Sequence, residues 1–248
     1  MRITYFGITM RGKRKNNEDA FAADGTLYFH DTEDVKTGLR EVKIDGGWHV
    51  FAIADGMGGH ASGEIAARLS LQLLCQAFAE RGEQDEASIR ETFDQIHAAI
   101  LAQEDVTERA GMGCTLTGAA LRAAKAFIFN IGDSRTYQFR SGFLSQVTKD
   151  HSLRSLPGMS EAPQNQLMSS LGGGQPDYTA DVWDYSGKLK SGQALVISSD
   201  GYHEFADIDV LETILAKDLD EEEIEREALA AQQRGSTDNT TLLVLAFK

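Results

Sequence analysis

Four aspartates stand where apolar runs begin or end. WHVFAIADGMGG runs apolar from Trp48 and breaks at Asp55-Gly56, AKAFIFNIGDSR breaks at Gly132-Asp133, and ALVISSDG breaks at Asp200-Gly201. Asp238, in STDNTTLLVLAF, precedes an apolar run instead of following one. An Asp-Gly pair is ordinary turn chemistry when it stands alone. Carboxylates collected at the ends of several strands are different, because they repel one another unless positive charge lies between them. Hard divalent cations such as Mg²⁺ and Mn²⁺ prefer oxygen ligands. The spacing therefore predicts an oxygen-lined metal site built from the ends of buried strands.

The elements that must hold these residues read as follows. Residues 2–10 alternate loosely and suit an edge or opening strand, and 12–19, GKRKNNED, form a polar turn. Strand candidates at 26–30 and 39–44 flank HDTEDVKTG, an expected exposed hairpin, and the strand at 48–54 follows. A helix begins near Ser62, a suitable N-cap, with Glu64 at its positive end. Ile65, Leu69, Leu73 and Ala77 mark its expected buried stripe. A second helix spans 86–102, with Ile89, Phe93, Ile96 and Ile100 on one face. GCTLTGAALR, AKAFIFNIG, TYQFR and GFLSQVT then read as an antiparallel meander. The segment 151–176 holds all three prolines and a triple glycine, and is expected to be an irregular surface flap. Strands at 178–185 and 193–199, helices near 207–216 and 220–234, and a closing strand complete the chain. With helices in two sequential pairs, this predicts two stacked antiparallel sheets with a helix pair outside each. No linker divides residues 1–248, which are expected to form one domain.

A net charge of −14 with no basic stripe argues against a nucleic-acid groove or an anionic membrane as partner. Cys75 falls in a helical pattern and Cys114 in a strand-like one, so no structural disulfide is expected and the usage suits a reducing compartment. No leader-like start and no apolar run of about 20 residues is visible, and a cytoplasmic protein is expected.

Seven motifs occur in order: RKNNED at 14–19, ADGMGGHASGE at 54–64, GMGCTLTGA at 111–119, NIGDSRTYQFR at 130–140, TKDHS at 148–152, SSDG at 198–201 and TDNTT at 237–241. Together they resemble the metal-dependent protein phosphatases, also called the protein phosphatase 2C family, particularly the bacterial type. The resemblance implies an α+β fold, a four-layer αββα sandwich. It implies two Mn²⁺ or Mg²⁺ ions at one edge of that sandwich, and hydrolysis of phosphoserine and phosphothreonine in proteins. A water activated by both metals would attack phosphorus in line, with no covalent phosphoenzyme. Phosphorylated proteins are the implied partners, and a serine/threonine kinase the opposing enzyme.

Asp55 suits a bridging ligand because the end of a buried strand fixes it, and Gly56 leaves its backbone carbonyl open to a second cation. By resemblance, Asp200 and Asp238 complete the first metal, Glu18 and Asp19 orient waters on the second, and Asp133 holds a third, weaker one. Arg14 is the expected phosphate anchor, since a guanidinium fork matches two phosphate oxygens. Arg11, Lys13 and Lys15 could add attraction for the substrate anion. Arg135 is expected to pair with an internal carboxylate, and His60 and His151 to be structural.

Two departures matter. Some relatives carry a histidine directly after the Asp-Gly, proposed as general acid for the leaving alkoxide; here Met57 stands there, so that role does not carry over, and metal-bound water could serve instead. The stretch LRSLPGMSEAPQNQLM is shorter than the flap common in bacterial relatives, which bears on which phosphoproteins fit. A catalytically silent binding module would usually lack one of these aspartates, and a metal nuclease sits poorly with the acidic balance.

Overall fold

The computed structural model describes residues 1–58, 62–103, 110–159 and 166–248. One antiparallel sheet contains β1 (Arg2–Met10), β4 (Val35–Lys36), β5 (Arg40–Lys43), β11 (Arg135–Arg140), β12 (Phe143–Gln146), β15 (Ala194–Ser198) and β16 (Thr240–Phe247). Its order is β12-β11-β15-β16-β1-β4, with β5 also on β1. The second contains β2 (Ala20–Ala23), β3 (Thr26–Tyr28), β6 (His49–Ala54), β9 (Leu116–Arg122), β10 (Lys125–Ile131) and β14 (Asp181–Asp184), in the order β14-β10-β9-β6-β2-β3. A small ribbon joins β7 (Gly56–Met57), β8 (Gly113–Cys114) and β13 (Leu171–Gly172).

The layers follow from strand alternation, since successive side chains point to opposite faces. In β6, Phe51 and Ile53 face the other sheet, whereas Val50, Ala52 and Ala54 face helices α1 (Gly63–Glu80) and α2 (Glu86–Gln103). In β16, Leu243 and Leu245 point between the sheets, and Leu242 and Val244 point toward α3 (Asp200–His203), α4 (Ile208–Leu215) and α5 (Glu221–Gln233). Strands covered on both faces read as continuous apolar runs. The result is the expected four-layer αββα sandwich.

Several local expectations change. β1 is paired on both sides, so it opens the chain but is no edge. The strands on either side of HDTEDVKTG do not pair: β3 joins β2 in one sheet and β5 joins β1 in the other. The short strand β2 went unread. The buried face of α1 is Ala66, Ala67, Leu71, Leu74 and Phe78, with Ile65, Leu69 and Leu73 only partly covered at its flank. Two adjacent alanines let that helix lie close to the sheet, which bulkier residues would prevent. Ser62 holds the N-cap position but its side chain makes no capping bond to the helix, whereas Asp220 caps α5 by accepting from Glu223 N–H at 3.1 Å. The meander is two hairpins in two sheets, β9-β10 and β11-β12. Residues 132–134 carry the chain from one sheet to the other.

Register gathers the acidic positions at one end. Met10 pairs with Thr240 and Ser198 with Leu242, so the end of β1, the end of β15 and the start of β16 lie together. Ala20 pairs with Ala54, Ile53 with Thr117, and Ile131 with Leu116, placing the ends of β6 and β10 with the start of β2. Residues 11–19 and 132–134 both cross between sheets at that end.

Candidate active site

The crossing point is a cavity of about 620 Å³. Asp55, Gly56, Asp133, Asp200, Asp238, Glu18 and Arg14 all line it, together with Met57, Thr115 and Asn239. Asp55 is clamped through its backbone: its N–H donates to Thr115 Oγ1 at 3.1 Å and its carbonyl accepts from Thr115 N–H at 2.9 Å. Thr115 Oγ1 is fixed in turn by Ser134 Oγ at 2.8 Å.

Two of the glycines are required by close approach. A Cβ on Gly56 would collide with the backbone of Gly63 and lie 2.6 Å from the carbonyl oxygen of Glu18, so any side chain there would push α1 and the 11–19 loop apart. A Cβ on Gly201 would collide with the carbonyl of Asn239, so this glycine lets Asp200 approach Asp238. The Asp-Gly pairs are thus packing requirements as well as turns.

Asp19 lies one layer further in than Glu18. It is buried beneath the cavity instead of lining it, accepting from Thr241 Oγ1 at 2.6 Å and Ser199 Oγ at 2.8 Å. Asn17 and Thr9 extend this network, with Asn17 Nδ2 donating to Thr9 Oγ1 at 3.0 Å and Thr9 Oγ1 2.8 Å from Thr241 Oγ1. Glu18 does reach the cavity, and Arg14 donates through Nη2 to Asp238 Oδ2 at 2.6 Å. That hydrogen bond raises the Arg14 pKa further.

Asp55, Asp133 and Asp200 are only partly covered, opening into the cavity, yet they lie deep enough for burial to disfavour their charge. Burial, then the charges of Asp19, Asp200, Asp238 and Asp133, hold the Asp55 carboxyl well above its usual range. Burial and then Asp238 push Asp200 up to about 6; burial and then Asp200 push Asp133 up to about 7. Burial lifts Asp19 to about 7 against the two hydroxyl bonds that favour its charge.

Among the described residues, no three Asp, Glu, His or Cys side chains converge as they stand on one ion-sized point. Arg14 instead closes on Asp238, and the charge of Asp200 presses on Asp55. The donor set nonetheless fits hard divalent cations: every candidate is an oxygen, and the carboxylates raise one another's pKa for want of positive charge.

The protein phosphatase 2C family profile matches residues 39–234. The chain belongs to the protein phosphatase 2C family. The match includes Asp55, Gly56, Asp133 and Asp200; Arg14, Glu18, Asp19 and Asp238 lie outside it. Serine/threonine phosphatase Stp of Listeria monocytogenes is 29% identical over 213 residues, covering 79% of this chain and 83% of that one. A serine/threonine phosphatase of S. agalactiae shares the fold, with a TM-score of 0.81 at 23% identity over 99% of this chain and 100% of that one. The catalytic domain of the serine/threonine phosphatase PstP, solved with two manganese ions, is 26% identical with a TM-score of 0.76, covering 99% of each chain.

In this protein phosphatase 2C family member, Arg135 and His151 are held by internal partners. Arg135 pairs with an internal carboxylate, Asp150, through Nε at 3.0 Å and Nη2 at 2.6 Å. His151 Nδ1 accepts from Gly132 N–H at 3.3 Å and its Nε2 lies 3.2 Å from Asp181, holding the 132–134 crossing in place. Cys75 and Cys114 are free, and burial pushes their thiols up to about 11 and about 12. His60 lies outside the described residues, as does part of the flap, 160–165. Thr115, Asn239, Ser199 and Thr241 went unread, although each stands in or beside a quoted motif.

Proposed function

We propose that this chain hydrolyses phosphoserine and phosphothreonine in proteins, using Mn²⁺ or Mg²⁺, through the cavity at the sandwich edge. The observation that carries this reading is the convergence of Asp55, Asp133, Asp200 and Asp238 with Arg14 on that one cavity. Asp55, Asp200, Asp238 and the Gly56 carbonyl would hold two cations, Glu18 and Asp19 would act through water, and Asp133 would hold a third, weaker one. When bound, such cations acidify water and neutralise phosphate charge.

The chain's own groups do the rest. Arg14 presents a planar fork of donors to two phosphate oxygens and orients phosphorus for in-line attack. The Thr115 clamp keeps Asp55 from moving as charge develops. Thr115 is itself unsuited to nucleophilic attack, because its hydroxyl is spent on Asp55 N–H and Ser134. Met57 lines the cavity and carries no proton to give, so the leaving alkoxide is protonated from water.

Residues 1–248 act as one catalytic domain in this reading. A cytoplasmic setting, opposition by a serine/threonine kinase, and the absence of nucleic-acid or membrane partners go with it. The net charge of −14 and the free cysteines support this, and among the described residues no helix is long and apolar enough to cross a membrane. Phosphate release from a phosphothreonine peptide is the test. It should require Mn²⁺ or Mg²⁺, stop with EDTA and be lost in Asp200→Asn. Release that survives EDTA, or none with either metal, would end this reading.

A further inference from the structure

Residues 11–15, RGKRK, put four cations into five positions of a strongly acidic chain. Such a run is ordinarily a solvated face, but here the loop is built. Asn239, 5% exposed, donates through Nδ2 to the carbonyls of Arg11 and Asn16, both at 2.9 Å, and accepts from Glu18 N–H at 2.9 Å. Arg11 turns its guanidinium back onto the carbonyls of Arg14 at 3.1 Å and Lys15 at 3.4 Å, while its own N–H donates to Asp34 at 3.0 Å. Arg14 is engaged with Asp238. Two of the four cations are therefore committed to holding the turn and facing the reaction centre.

Lys13 and Lys15 are left, both exposed and, among the described residues, without an ion-pair partner. They are not equivalent: Lys15 lines the cavity beside Asn16, and Lys13 does not. Elsewhere the lining includes Met57, Gly58 and Leu167, which carry no charge. Deeper in, Arg14 pairs with Asp238, and Asp55, Asp133 and Asp200 would be offset by the cations they hold in the phosphatase reading. Among the described residues that line the cavity, Lys15 is then the cation without an ion-pair partner, on a loop that Asn239 ties down on both sides.

We propose that Lys15 is a specificity-determining residue that reads an anionic group flanking the phosphorylated serine or threonine. The group is a carboxylate or a second phosphate on the substrate protein. This rests on the phosphatase reading of the cavity and adds the substrate class it favours. One exposed ion pair across the mouth gives a preference on the order of two- to fivefold, weakened by salt.

The test uses the full chain with Mn²⁺ and four phosphothreonine peptides whose flanking residue is Glu, a second phosphothreonine, Ala or Lys. The quantity read is the ratio of kcat/KM between peptides within each variant, so a general loss of activity cancels. Wild type should favour both anionic peptides over the Lys peptide. Lys15→Ala should flatten the ratio, Lys15→Glu should invert it, and Lys15→Arg should keep it. A gain confined to the doubly phosphorylated peptide assigns the contact to phosphate; an equal gain with Glu assigns it to any anion. Ratios unchanged in Lys15→Ala and Lys15→Glu overturn the proposal. So does Lys13→Ala shifting the ratio as far as Lys15→Ala, since that marks a general field. Silence on every peptide and on p-nitrophenyl phosphate would instead remove the phosphatase reading itself.

Discussion

Asp133 and Asp150 sit on either side of Arg135, one just before it in sequence and one against it in space, and their fates are opposite. Asp150 receives Arg135 Nε and Nη2, with Gln146 Nε2 adding a bond at 2.7 Å. Glu227, 3% exposed, is held the same way by both Nη atoms of Arg234, at 2.8 and 2.9 Å. Among the described residues, Asp133, Asp55 and Asp200 have no cation paired with them in this way, and burial and mutual repulsion press their protons on. The fold completes the charges that serve its architecture and, Asp238 with its Arg14 apart, leaves those at the cavity to be completed from outside. Unpaired carboxylates of this kind are where function is expected, because they cost stability and persist only if something else requires them.

The largest break in that comparison comes from Asp55→Asn. The amide keeps the shape of the side chain but loses the charge. Turnover should fall by at least 10²- to 10³-fold, roughly the range for removing one preorganised electrostatic contact. In EDTA the same variant should be more stable than wild type by roughly 1 kcal/mol, because a repelling, partly covered carboxylate has gone. Paired kinetics and thermal melts check both halves. A variant that loses activity and metal-free stability together would show Asp55 to be structural.

Arg135→Ala tests the opposite side. It strips Asp150 of its main donors and leaves a mostly covered carboxylate behind, for an expected loss of about 2–3 kcal/mol. Denaturant titration should show this loss with and without Mn²⁺, and the double variant with Asp150→Asn should recover part of it. Recovery on adding metal alone would mean that Arg135 belongs with the cavity and not with the frame.

The carboxylates were legible because strand ends announce themselves: an apolar run broken by Asp-Gly says where a side chain is held. The sandwich was legible from the apolar runs and the paired helices. Thr115 and Asn239 were not, since each is neutral and acts through bonds to residues about as far off in sequence as Asp55 and Arg11. The crossings were hidden for a related reason. Gly132 and Gly142 give the same local turn signal, yet the chain changes sheets at one and stays in its sheet at the other. The resemblance gives Glu18 and Asp19 one shared role, orienting water on a metal, and does not separate the two. Alternation along an extended chain sends the two side chains to opposite sides, one to the cavity and one to the hydroxyls beneath. The face of α1 was misjudged by following bulk, when Ala66 and Ala67 make the contact.

The smallest effect expected is in the pH dependence of metal-free stability. Asp133 is pushed up to about 7, from a usual value near 3.8. Between these values the folded chain binds this proton more tightly than the unfolded chain. The stabilisation is therefore fully present below the unfolded value and is lost as pH rises through the folded one. His203 runs the other way: burial holds its pKa well below 6.5, so stability is lost as pH falls below about 6.5 and the unfolded chain takes the proton. Comparing Asp133→Asn with wild type in EDTA from pH 5 to 8 cancels the His203 contribution and leaves Asp133, together with the part of the Asp55 shift that its charge causes. The variant's advantage should grow as pH rises, to about 1 kcal/mol once the open cavity mouth is allowed for. That corresponds to roughly 2–4 °C in a chain of this size. Saturating Mn²⁺ should erase or reverse it, since the cation binds the ionised carboxylate that the metal-free fold disfavours. An advantage that stays flat across the range, or survives Mn²⁺ unchanged, would place Asp133 with the completed charges of the frame.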